Sequence, residues 1–109
     1  MVKLLSIKEP DEEKGRLQTV GYMFDCPGCK MSHEVYIRPH KNSSGASWSF
    51  TGNPEKPTFH PSLNATVTND KGQVTLRCHS FVENGMIRFL DDCTHSLAGE
   101  TVEMPDIDA

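Results

Sequence analysis

The chain has no apolar run long enough to cross a membrane as a helix. No apolar core of a signal peptide follows Met1-Val2-Lys3-Leu4-Leu5. These two absences lead to the expectation of a cytoplasmic protein that does not engage a membrane. Apolar residues make up only 36% of the 109 residues, and aromatics 7% with a single Trp. A chain this short buries about 65% of its unfolded surface, so its core is modest and gains from a staple. Excess positive charge is lacking too. The net charge is −4, with acid clustered at Glu9, Asp11, Glu12 and Glu13 and again at Glu100, Glu103, Asp106 and Asp108. That balance argues against non-specific binding to a phosphate backbone. No internal repeat, low-complexity tract or amphipathic helix of useful length is found.

Four cysteines are present, two of them as Cys26-Pro27-Gly28-Cys29. Two intervening residues, one a Gly free to take a positive φ, let both thiolates converge on one ion. Thioredoxin-like redox sites share the spacing, but they need a helix opening at the first Cys. Here the knuckle runs into His33-Glu34-Val35-Tyr36-Ile37, which reads as a strand. In a reducing compartment the four cysteines favour a metal over disulfides; in an exported protein they could pair in three ways.

The chain divides into an N-terminal arm and acidic loop (1–15), one zinc-stapled β domain (16–103) and an acidic tail (104–109) expected to be disordered. Alternation predicts strands over 16–25 and 33–38, making the knuckle the turn of a β-hairpin. Residues 39–47 lack periodicity and read as a mobile loop. Pro57 and Pro61 speak against a helix or a central strand at 57–62. Asn84-Gly85 is the strongest hairpin signal, because a type I′ turn needs positive φ at both central residues. The fold class expected is mainly β: a small antiparallel domain of about seven short strands, a zinc-ribbon-like knuckle and at most one short helical turn, within 92–99.

A two-residue turn at 84–85 fixes the register. Glu83 then faces Met86, Val82 faces Ile87 and Ser80 faces Phe89. Cys78 and Cys93 fall on the apolar face, diagonal to each other, and His79 points to the other face. The first-choice metal site is therefore Cys26, Cys29, Cys78 and Cys93 around Zn2+, with His95, His79 and His33 in reserve. Structural zinc contributes on the order of 10 kcal/mol or more to such a domain.

Several blocks occur in a fixed order: Phe24-Asp25-Cys26-Pro27-Gly28-Cys29, Trp48-Ser49-Phe50-Thr51-Gly52-Asn53, Lys56-Pro57-Thr58-Phe59-His60-Pro61-Ser62, Cys78-His79-Ser80-Phe81-Val82-Glu83-Asn84-Gly85, and Asp91-Asp92-Cys93-Thr94-His95-Ser96-Leu97-Ala98-Gly99. Together they resemble a family of small uncharacterised phage and prophage proteins that often carry the label "ammonia monooxygenase". The residues do not support that label. Ammonia oxidation needs a copper or iron centre in a membrane assembly, and this thiol-rich set suits zinc. The resemblance implies a phage setting in a host bacterial cytoplasm.

With no evident nucleophile–base pair, the expectation is a zinc-stabilised accessory module that binds or inhibits a host or phage protein. The loop at 39–47, Trp48 and the segment 57–62 would form its working surface. One alternative is a zinc-dependent hydrolase with His79, His95 and Asp92 near an open metal position. A zinc-ribbon nucleic-acid binder using Lys30, Arg38, His40 and Lys41 is another, disfavoured by the net acidity.

Overall fold

A computed structural model describes residues 2–107. Eight strands account for its regular structure: β1 (Leu5–Asp11), β2 (Arg16–Cys26), β3 (Met31–Tyr36), β4 (Ser49–Asn53), β5 (Lys56–Thr68), β6 (Val74–Glu83), β7 (Met86–Phe89) and β8 (Thr101–Glu103). No helix occurs among the described residues, and the segment 92–99 is built of turns. All strand pairs are antiparallel, in a three-stranded sheet β1-β2-β3 and a five-stranded sheet β4-β5-β6-β7-β8. A single parallel bridge, Ile37 to Trp48, joins the two.

The inward faces of both sheets feed one core, with Phe24 and Val35 from the first sheet against Phe59, Leu63, Val82, Ile87 and Phe89 from the second. Tyr22, Phe50 and Phe59 extend it as an aromatic chain, with ring centroids 4.8 and 5.5 Å apart. The tail does not hang free at its start. Met104 is fully buried, Lys3 pairs with Asp106 at 3.4 Å, and the Ile107 amide donates to the Val2 carbonyl. Residues 108–109 of the expected tail lie outside the described residues. The 39–47 loop is organised by Asn42, whose Oδ1 accepts from the Ser44 and Ala46 amides at 3.0 and 2.9 Å.

The Asn84-Gly85 turn is as expected, with φ of 50° and 78° and Glu83 paired to Met86. Pro57 and Pro61 lie in no helix, but the expectation against a central strand is overturned: β5 runs through both and lies between β4 and β6. Its register explains how. Phe59 pairs with Val82 and Leu63 with Ser80, so Phe59 to Leu63 takes four steps on β5 against two on β6. The segment His60-Pro61-Ser62 bulges out of the β6 ladder, where a missing N–H costs no pairing. The bulge also re-aims the side chain that ends it, Ser62.

Candidate active site and metal centre

The knuckle closes the β2–β3 hairpin, with Cys26 paired to Met31 and the Lys30 amide donating to the Cys26 carbonyl at 2.9 Å. Positive φ falls on Lys30, at 60°, and Gly28 does not use its freedom to take one. Gly28 is needed for a different reason: a Cβ there would collide with the His95 ring.

Four donor atoms, from Cys26, Cys29, His33 and Cys78, lie within 4.8 Å of one another. Cys26 Sγ and Cys78 Sγ are 3.8 Å apart, and Cys29 Sγ and His33 Nε2 are 3.5 Å apart. Metal–sulfur bonds of about 2.3 Å and metal–nitrogen bonds of about 2.0–2.1 Å in a tetrahedron give sulfur–sulfur edges of about 3.8 Å and sulfur–nitrogen edges of about 3.5 Å. The two separations thus match opposite edges of one Cys₃His tetrahedron. The 3.8 Å gap is also far longer than the roughly 2.05 Å of a disulfide, and all four cysteines are free. The residues fit a tetrahedral metal ion.

Protonation supports the same grouping. The Cys78 thiol donates toward Cys26, which holds the Cys26 sulfur as thiolate, with its pKa down to about 3 against the opposing effect of burial. That same bond to Cys26, with burial second, pushes the Cys78 thiol upward. Burial raises Cys29 to about 11.

Of the candidates named from the sequence, Cys93 and His95 form a second, overlapping group that shares Cys78. Cys93 Sγ accepts the His79 amide at 3.2 Å, and its thiol donates to the His79 carbonyl, also at 3.2 Å. The Leu97 amide donates to His95 Nδ1 at 3.2 Å, which leaves the ring proton on Nε2. His95 Nε2 is buried and without a hydrogen-bond partner. To act as a ligand, it would have to lose that proton. His79, a reserve ligand from the sequence, belongs to neither donor group; as the hairpin register requires, its ring faces the other side of the sheet.

There it completes a second constellation. Ser62 Oγ lies 3.2 Å from His79 Nε2, and His79 Nδ1 lies 3.1 Å from Asp92 Oδ2. With the carboxylate accepting the Nδ1 proton, Nε2 is left to accept the serine hydroxyl proton. A hydroxyl bonded to an imidazole that is oriented by a carboxylate is the arrangement of a serine nucleophile, recognised by geometry rather than by order in the chain. The three residues come from the β5 bulge, mid-β6 and the segment after β7. The Trp48 indole N–H holds the Ser62 carbonyl at 3.2 Å. The Thr94 amide donates to the Arg77 carbonyl at 2.9 Å, laying Asp92-Cys93-Thr94 along β6. The Asp92 side chain is 47% exposed and also lies 3.9 Å from Arg77 Nη1.

A family described as "bacterial ubiquitination-like system serine protease (BubE)" matches residues 6–90, more than three quarters of the chain. The chain belongs to the BubE family. Ser62, His79 and the quartet Cys26, Cys29, His33 and Cys78 lie inside the matched span, and Asp92 lies just beyond it. No curated protein and no solved structure matches the chain.

In this BubE-family chain the two centres are laid back to back. Alternation along β6 sends Cys78 inward and His79 outward, and Asp92 and Cys93 repeat the division in the next segment. Sequence reasoning named His79 and Asp92 but did not single out Ser62 as their hydrogen-bond partner. The one signal available was the pair of prolines flanking Thr58-Phe59-His60, which marks a bulge as readily as a break.

Proposed function

We propose that the chain is a serine protease that cleaves amide bonds of proteins in a ubiquitination-like system, with Ser62 as nucleophile, His79 as general base and acid, and Asp92 orienting the imidazole. The hydrogen-bonded series Ser62–His79–Asp92, at 3.2 and 3.1 Å, carries the reading. The description of the family as a serine protease of a bacterial ubiquitination-like system supports the reaction and the substrate class.

Ser62 Oγ attacks the scissile carbonyl carbon as its proton passes to His79 Nε2, and the carbonyl π pair moves to oxygen. The imidazolium is stabilised by Asp92. Collapse re-forms the carbonyl and breaks the C–N bond, and the leaving amine takes the proton from His79. Water then gives up a proton to His79, attacks the acyl-serine, and releases the acid and free Ser62 by the same steps reversed.

The quartet Cys26, Cys29, His33 and Cys78 would hold one zinc ion, with all four positions filled by protein. Such a closed site supplies structure rather than a reactive water. What it fastens is the strand that carries the base: Cys78 precedes His79, and Cys93 grips the His79 peptide on both sides.

An activity-based fluorophosphonate should label the zinc-loaded protein at Ser62. Ser62→Ala should abolish labelling and lower amide hydrolysis by about 10⁴-fold or more. A Ser62→Ala protein that still hydrolyses its substrate would return the reading to a zinc-dependent hydrolase. A protein that neither labels nor cleaves would return it to a binding module.

A further inference from the structure

Acyl transfer requires a donor for the oxygen that becomes negative in the tetrahedral intermediate. We infer that Asn64 is a further catalytic residue, its Nδ2 amide donating to the oxyanion formed when Ser62 attacks. This inference rests on the serine-protease reading of Ser62, His79 and Asp92.

The β5–β6 register sets Asn64 directly opposite His79. Directly opposed residues share one face, with Cβ atoms about 4.5–5.5 Å apart. That face holds Ser62 Oγ, because His79 Nε2 is bonded to it. The Asn64 amide therefore lies beside the nucleophile, on the same strand and two residues along. Asn64 is exposed. Its oxygen is not used up in a turn, as those of Asn42, Asn53 and Asn69 are, and no hydrogen bond engages its side chain among the described residues.

Neighbouring donors are already engaged. The Trp48 N–H is bonded to the Ser62 carbonyl, the His79 Nδ1 proton goes to Asp92, and Arg77 lies against Asp92 on the far side of the imidazole. When Oγ bonds to the carbonyl carbon and the π pair moves to oxygen, a free amide at this position gains a charge-assisted bond that the neutral substrate does not offer.

The test uses the full, zinc-loaded chain, with a p-nitrophenyl ester as substrate and a fluorophosphonate as label. Asn64→Ala and Asn64→Asp should each lower kcat by about 100- to 1,000-fold, with KM changed less than about threefold. Fluorophosphonate labelling of Ser62 should slow in parallel. Asn64→Thr, which keeps a donor and suits a strand, should recover at least about tenfold over Asn64→Ala. Hydrolysis by Asn64→Ala within about threefold of the unsubstituted chain overturns the inference. Equal losses in the Thr and Asp variants also overturn it, since the effect would then be structural. Hydrolysis that survives Ser62→Ala would instead strike the underlying reading.

Discussion

Zinc binding should displace about two protons, because two of the three quartet thiols carry one in the metal-free chain at neutral pH. Cys26, held down at about 3 by the Cys78 hydrogen bond, is already a thiolate and contributes no proton. Cys29, raised to about 11 by burial, and Cys78, raised by its bond to Cys26, are both thiols. Ions compete with protons at these two sulfurs, so affinity falls as pH falls and rises with pH until Cys29 titrates. Across pH 7 to 9 the slope is two protons, or about 100-fold in affinity per pH unit. At 1.36 kcal/mol per proton per unit, the span of two units changes the binding free energy by about 5 kcal/mol. That compares with a total stability of roughly 5–15 kcal/mol for a domain of this size. Lowering the pH toward 6 in the presence of a chelator should therefore strip the metal and melt the fold together. The assay is competition against a chromophoric chelator at several pH values, with proton release read by an indicator in weak buffer. A pH-independent affinity, or release of no protons, would refute the assignment of thiols and thiolate. Release of three would show that Cys26 is protonated as well.

Asp92→Asn should leave the melting temperature unchanged, since the side chain is 47% exposed, while kcat falls by about 10⁴-fold through loss of the correct imidazole tautomer. Cys93→Ser should retain one zinc per chain by elemental analysis, whereas His33→Ala should weaken binding; the reverse pattern would restore the four-cysteine site over the Cys₃His one. Gly28→Ala should destabilise the fold by about 1–3 kcal/mol in denaturant melts, because the added methyl has to displace the His95 ring from its edge-on contact with Phe89, at 4.7 Å between centroids.

Local chemistry carried much of the architecture. Asn84-Gly85 dictates a two-residue turn, the turn dictates the register, and the register assigns Cys78 and Cys93 to one face and His79 to the other. The knuckle was legible for the same reason, since its two thiols lie within a few residues of each other. The fourth donor of the quartet was not legible, because several residues were compatible with it by spacing. Cys93 shares a face with Cys78, yet its thiol is taken by the His79 peptide, while His33, one turn and a strand start beyond Cys29, reaches to 3.5 Å from it.

Residue types and alternation by themselves determined a β domain with a thiol knuckle, because strand periodicity and turn preferences are properties of neighbouring residues. The hydrogen-bonded series proposed as the active site was decided only in three dimensions. Ser62, His79 and Asp92 are separated by 17 and 13 positions, and they meet because an extra pair of residues in β5 shifts its pairing with β6. A bulge of that kind is set by how two strands match across a shared core, which no stretch of either strand encodes alone.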